Sequence, residues 1–350
     1  MKHLWLRAEH RENEKRVGLT PQGATQLIRK GIKVSVEASD MRIISIKDYK
    51  DAGCEIVSAG SWENAPEDAI IFGLKELPNN DTPLKHSHIM FGHAFKGQIA
   101  GKKLLKKFKD GGGTLYDIEY LTNEIGKRVA AFGYWAGFVG AFVTLKVWIS
   151  QNKKKECGPL TAFSDKNKLL EELCGDIITV KTRPSTIVIG ALGRVGTGVC
   201  DLCEQLSLNI KKWDLAETSS GGPFQEVLNY DVLFNCVVSN PKTPVFFHAN
   251  YVDSQRKLSV IGDIACDPDS DYNPIPIYSA PTTWSKPGVN IRTRPPLDVM
   301  AIDNLPSLLP KESSIDFAEQ LLPYLVGFEG KNNAVWHRAR KVFKSKVLEV

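Results

Sequence analysis

Short apolar runs and amphipathic stretches alternate along the first third of the chain. Residues 3–8 form an apolar run, 21–30 carry apolar positions at helical spacing, 33–37 return to a strand-like pattern, and 68–73 are apolar again. Residues 89–93 and 114–118 continue the series as strands. Thr20-Pro21 has the make-up of an N-cap followed by a first-turn proline, which sets one helix start. Strand and helix in alternation predict a mainly parallel sheet. The most apolar stretch, 129–149, has glycines and aromatics at helical intervals and includes Lys146, so it predicts a buried helix and not a membrane span.

Residues 151–183 are richer in charge, with a helical pattern near 166–174, and read as an insertion leading into a second domain. Strand-like runs return at 186–190, 210–214, 232–236 and 258–263, spaced by helix-length intervals, which predicts a second doubly wound sheet. Residues 317–350 are helical and amphipathic, with Trp336, Val342 and Phe343 placed to pack back on the first domain. The expected architecture is α/β, with two Rossmann-like doubly wound parallel-sheet domains and an interdomain cleft. Residues 1–130 plus 315–350 form a discontinuous substrate-binding domain, and residues 131–314 a cofactor-binding one. A length of 350 residues suits two cores better than one.

Composition narrows the partners. Net charge is +5, and the lysines are scattered or in short runs such as Lys153 to Lys155, which make solvated loops. With no basic patch interleaved with aromatics, no nucleic-acid partner is expected, while the mild positive bias suits a polyanionic small substrate. The seven cysteines are 54, 157, 174, 200, 203, 236 and 266; Cys200 and Cys203 lack two further ligands, so no metal site is expected. Reduced thiols and an amino terminus without a secretory pattern point to a cytoplasmic protein with no membrane partner. No helix shows a self-complementary apolar seam, so a monomer or weak homo-oligomer is expected.

The strongest chemical signal is Thr186-Ile187-Val188-Ile189-Gly190-Ala191-Leu192-Gly193-Arg194-Val195-Gly196-Thr197-Gly198, an apolar strand that enters a glycine turn and then a helix. Such glycines let backbone N–H groups approach a pyrophosphate at a helix N-terminus, and the loop from Gly190 through Leu192, Gly193, Arg194 and Val195 to Gly196 is the expected cradle. The spacing is G-x-x-G-x-x-G and departs from the commoner G-x-G-x-x-G. A second strand then ends in Asp214, eighteen positions after Gly196. A carboxylate there accepts both ribose hydroxyls and repels a 2′-phosphate, and Leu215 follows it with no arginine, so the expected cofactor is NAD. Asp263 closes another apolar strand, near where such a sheet meets the nicotinamide.

Several further blocks match a known family. Leu6-Arg7-Ala8-Glu9, Arg16 and Leu19-Thr20-Pro21 resemble the amino-terminal motif shared by alanine dehydrogenase, transhydrogenase and saccharopine dehydrogenases. Gly73-Leu74-Lys75-Glu76-Leu77-Pro78, His88-Ile89-Met90-Phe91-Gly92-His93, Gly113 to Glu119, Arg128 to Gly133, Gly221-Gly222-Pro223-Phe224 and Ile302 to Pro310 resemble the NAD-dependent, lysine-forming saccharopine dehydrogenases. Arg11 stands where members often carry lysine, and Phe95 where a tyrosine is common.

The resemblance implies oxidation of saccharopine to an imine, with NAD reduced to NADH, and reversible hydrolysis to L-lysine and 2-oxoglutarate. It places the base that deprotonates the secondary amine on Lys75 and the proton shuttle of hydrolysis on His93. It gives Glu76 and Glu119 the tuning of those two groups. Arg16 and Arg128 become forked donors for the substrate carboxylates, with Lys96, Gln98 and Arg11 as secondary contacts. Asp303 is implied at the nicotinamide ribose. The competing expectations are an alanine dehydrogenase-like amino-acid dehydrogenase and a catalytically silent NAD-binding protein; the latter would be expected to lack Lys75 or His93.

Overall fold

Four- and five-residue apolar runs become strands because their side chains are buried on both faces of a sheet. In the computed structural model, which describes residues 1–328, 330 and 333–350, the chain divides into two units, Met1–Ala131 with Pro310–Val350 and Phe132–Leu309. The first unit opens with β1 (His3–Leu6), α1 (Pro21–Arg29), β2 (Lys33–Glu37), α2 (Ile46–Asp51) and β3 (Glu55–Val57). It continues through β4 (Ala69–Phe72), β5 (Ser87–Met90), α3 (Ile99–Gly111) and β6 (Thr114–Asp117). Thr20 caps α1 by accepting the Gly23 N–H at 3.2 Å, and Pro21 fills the first turn. The strands run in the order β3-β2-β1-β4-β5-β6, and every pairing is parallel. Trp5, Ile71, Met90 and Leu115 meet Leu105 and Phe108 of α3 in one core.

His88 lies in that core, edge-on to Trp62 and Phe108 at 5.2 and 5.4 Å, and its Nε2 has no hydrogen-bond partner. Burial, and then the charge of Arg7, hold its pKa well below 6.5. The unfolded chain therefore takes up a proton below pH 6.5 that the folded chain refuses, and stability falls as pH drops through that point. The slope from this one group is about 1.4 kcal/mol per pH unit. Asp117, with a pKa raised to about 6, acts in the opposite sense between that value and 3.8. His88→Phe should flatten the acid limb of stability, measured by urea unfolding at pH 7 and pH 5; an unchanged difference between the two would exclude His88 as a source of acid sensitivity.

The second unit contains α4 (Gly133–Asn152), α5 (Lys166–Ile177), β7 (Ser185–Ile189), α6 (Arg194–Gln205), β8 (Asn209–Trp213) and α7 (Leu215–Thr218). After these come β9 (Val232–Asn235), β10 (Val260–Asp263), β11 (Val289–Thr293) and β12 (Pro296–Met300). The middle of α4 is apolar on nearly every side because it is covered there: Phe138, Phe142 and Leu145 are fully buried, and Lys146 is paired with Glu172 and Asp176. No helix among the described residues is long and apolar enough to cross a membrane. α4 packs on α6 backbone to backbone, since a Cβ on Gly137 would lie 1.8 Å from the Val195 carbonyl oxygen and one on Gly198 2.0 Å from that of Tyr134.

Two expectations change here. The 151–183 segment is not an insertion, because Leu169, Leu173 and Ile177 of α5 belong to the same core as α4. The sheet, ordered β11-β12-β10-β9-β7-β8, is also not wholly parallel: β11 pairs antiparallel with β12 as an edge hairpin. Its residues are largely exposed and polar, so they carry little apolar signal.

The chain returns to the first unit with α8 (Pro310–Val326) and α9 (Asn333–Val347). Trp336 meets Tyr116 of β6 edge-on at 5.5 Å, and Phe343 meets Phe108 of α3 at 5.7 Å. Ser314 of α8 accepts the Val17 N–H at 2.9 Å and so fixes the loop that carries Arg16.

Candidate active site

Parallel strands end on a common edge, and ligands of open α/β sheets gather there where the strand order reverses, in this unit between β1 and β4. Four neighbouring strands deliver polar residues to that edge: Arg7 and Glu9 follow β1, Lys75 follows β4, His93 follows β5 and Glu119 follows β6. The loop bearing Lys75 is pinned through its backbone. Glu9 accepts the N–H groups of Leu74 at 2.6 Å and Lys75 at 3.1 Å, while Arg7 donates to the Lys75 carbonyl and pairs with Glu9 at 3.2 Å.

Beside it lies an ion pair that the sequence did not announce. Arg16 grips Glu14 with two parallel bonds of 2.9 and 2.7 Å, and both side chains are buried. Burial works against the Glu14 charge, but Arg16, and then Lys75, outweigh it and hold this carboxyl below its usual range. Arg16, expected to bind a substrate carboxylate, thus has Nε and Nη2 engaged with Glu14.

The other cluster is built on Glu119. Its Oε1 accepts from Arg128 at 3.3 Å and its Oε2 lies 4.0 Å from Nδ1 of His93, so one carboxylate joins three of the expected residues. Phe91 stacks against the imidazole at 6.3 Å and 17°. His93 itself has φ of +47°, a left-handed conformation unusual for a side chain of this size, of the kind that collects at functional sites. Beneath the cluster, fully buried Asp117 ends β6 and accepts the Glu119 N–H at 3.0 Å; burial pushes its pKa up to about 6.

Other expected residues stand apart. Glu76 is exposed and faces Arg11 at 3.8 Å, so these two form a surface pair, and the charge of Lys75 acts on Glu14. Lys96 is exposed, and Gln98 is the N-cap of α3 without a side-chain bond to it. Phe95 is buried against Tyr120 at 4.9 Å.

In the second unit, Gly190 closes β7 at φ +83°, and Gly196 has no room for a side chain: its Cβ would stand 2.1 Å from the Gly190 carbonyl oxygen. No side chain caps the start of α6, which begins at Arg194 and Val195 after Gly193. Asp214 ends β8 and accepts the N–H groups of Leu192 at 3.0 Å, Leu215 at 2.9 Å and, in a capping box, Glu217, which uses three of about four lone-pair positions on its carboxylate. Leu192, Leu215 and Val238, at the ends of the adjoining β7, β8 and β9, are 79%, 81% and 79% exposed. A glycine-floored helix start with apolar walls and a ribose-height carboxylate fits a dinucleotide. Asp303 is exposed just before the 3-10 turn Leu305–Leu308. Asp263 is buried and accepts from Asn235 at 2.9 Å and Tyr278 at 2.7 Å, so it braces the strand end from within.

The family model for the alanine dehydrogenase/PNT N-terminal domain matches residues 5–139. Among solved structures, an L-alanine dehydrogenase covering 98% of this chain and 93% of its own superposes with a TM-score of 0.67 at 17% identity, a likeness of fold. The saccharopine dehydrogenase [NAD(+), L-lysine-forming] of Yarrowia lipolytica is 40% identical, over 99% of this chain and 98% of the relative. That of Schizosaccharomyces pombe is 42% identical over 99% of both chains. With this identity spread over both units, the chain belongs to the family of lysine-forming, NAD-dependent saccharopine dehydrogenases.

Proposed function

We propose that the protein oxidises saccharopine to L-lysine and 2-oxoglutarate with NAD as oxidant. The observation that carries this reading is the delivery of Lys75 and the His93–Glu119–Arg128 cluster to one edge by the adjacent strands β4, β5 and β6. NAD, when bound, takes the hydride from the carbon beside the secondary amine. For that carbon to release it, the nitrogen needs a free lone pair, and Lys75 as a neutral amine removes the proton that blocks it. His93 then takes a proton from the water that attacks the imine carbon, passes it to nitrogen, and takes the hydroxyl proton as the carbon–nitrogen bond breaks and the carbonyl forms, which frees the lysine amine and the 2-oxo acid. Glu119 orients the imidazole and supports its protonated form, and Arg128 beside it offers a fork to a substrate carboxylate. The loop from Gly190 to Gly196 holds the pyrophosphate, and Asp214 the adenosine ribose.

We assign the enzyme to the cytoplasm, where the seven free thiols stay reduced, as a monomer or weak homo-oligomer. The test follows NADH formation with saccharopine, alanine and glutamate side by side. Turnover of saccharopine alone is expected; oxidation of alanine alone would overturn the substrate, and NAD binding with no turnover would favour a silent protein. Gly196→Ala should raise the Kd for NAD about tenfold or more, because the added carbon forces the loop off its helix start. Unchanged affinity in a fluorescence titration would remove this loop from the cofactor site.

A further inference from the structure

Arg128 stands on a hairpin of the first unit. Thr122 and Arg128 face each other across an antiparallel bridge, and the Val129 N–H donates to the Leu121 carbonyl at 2.8 Å. The turn between them closes on itself. The Asn123 N–H donates to the Lys127 carbonyl at 2.9 Å, the Asn123 side-chain oxygen accepts the Ile125 and Lys127 N–H groups at 3.2 and 2.9 Å, and Gly126 takes a left-handed φ of +76°. A turn bonded in this way moves as one piece, so the aim of Arg128 is set at the base of the hairpin. The tip adds little support: residues 124–128 are exposed, and a cavity of about 360 Å³ lies between Asn123, Glu124 and Ile125 on one side and Tyr324 and Val335 on the other.

Two residues of the returning carboxy-terminal segment hold the base. Gln320 of α8 clamps Ala131 through both backbone groups, at 3.2 and 3.3 Å. Arg338 of α9 donates from Nε and Nη2 to the Thr122 carbonyl, at 3.0 and 2.5 Å. α9 has its own anchors, since Trp336 and Phe343 are buried and Nε1 of Trp336 donates to the Tyr324 carbonyl at 3.0 Å. What the Arg338 fork adds is therefore the position of Thr122 and, across the bridge, of Arg128. We propose that Arg338 is a positioning residue for the reaction: through Thr122 it aims the Arg128 fork at the substrate carboxylate and keeps it on Glu119, whose other oxygen faces His93. This assignment rests on the proposed function, in which Arg128 binds a carboxylate of saccharopine.

The test is a double-mutant cycle read on KM for saccharopine. Arg338→Met removes both donors and keeps the unbranched stem; KM should rise about tenfold, because a misaimed clamp is felt in binding, while kcat falls less than about threefold and Kd for NAD stays within about twofold. Arg338→Lys keeps one charged donor and should recover part of the loss. In an Arg128→Gln background the Arg338→Met change should add less than about twofold, because the group it aims is gone. Where Arg338→Met does not fold by urea unfolding, Arg338→Lys carries the same cycle. A KM that moves in neither Arg338 variant overturns the assignment, and so does an equal rise with and without Arg128, which would make Arg338 a purely structural residue. If Arg128→Gln itself leaves KM at the parent value, the functional reading of Arg128 fails first and the proposal with it, a result distinct from a KM that answers to Arg128 and not to Arg338.

Discussion

Lys75→Met should lower kcat for saccharopine oxidation by about 10²- to 10⁴-fold, the usual contribution of a positioned base. Methionine keeps the unbranched stem and loses only the amine. The loop will not drift, because Glu9 and Arg7 hold it by the backbone of Leu74 and Lys75, which the substitution leaves intact. Kd for NAD should therefore stay within about twofold, since the loop that would hold it belongs to the other unit. The pH profile adds a readout that a structural role would not move: the acidic limb of kcat/KM set by the base should disappear, and a small exogenous alkylamine should restore part of the rate. A rate within about threefold of the parent would take Lys75 out of the proton transfer. His93→Gln is the companion. It should slow imine hydrolysis more than hydride transfer, so NADH appears in a first-turnover burst and then slowly.

Lys75 and His93 were read from the family resemblance; each also follows an apolar run, and in a parallel sheet such residues share an edge whatever their separation in sequence. Their supports were not legible. Glu14 and Arg16 are two apart in a loop, where no period says which way a side chain points, so nothing along the chain reveals that the pair closes on itself. The same ambiguity applies to Glu76, next to Lys75 in sequence and 3.8 Å from Arg11 in the fold. Asp117 and Asp263 both close strands; one supports His93's neighbour Glu119 and the other is held by Tyr278, partners that only folding supplies. In the fold, the long runs were clear, while α2, β3 and the β11–β12 hairpin were missed: they are short or lie on edges, with too few buried residues for a pattern.

Glu37 shows how far such hidden support reaches, and Glu37→Ala should cost about 3–5 kcal/mol of the first unit's stability. The side chain is fully buried at the end of β2 and accepts four N–H groups: Trp5 at 3.1 Å and Trp62 at 2.7 Å on one oxygen, Ala8 and Gly60, both at 2.9 Å, on the other. Truncation strands all four donors away from water. Glu37→Gln separates shape from charge, because either orientation of the amide sets its NH₂ against two N–H donors; about half the loss should remain. Asp214 ends the second strand of the other unit as Glu37 does in this one, and it too accepts backbone N–H groups, those of Leu192, Leu215 and Glu217, but it is only half-buried where Glu37 is fully buried. The Ala8 N–H lies between Arg7 and Glu9, the residues that hold Lys75, and Arg42 ties the Arg7 and Glu37 carbonyls together at 3.3 and 2.9 Å. In Glu37→Gln that remains folded, kcat for saccharopine should thus fall several-fold while Kd for NAD holds. Urea unfolding followed by tryptophan fluorescence, which samples Trp5 and Trp62, measures the first effect; a loss below about 1 kcal/mol for the alanine variant would mean that water replaces the carboxylate and that the loops of the site do not depend on it.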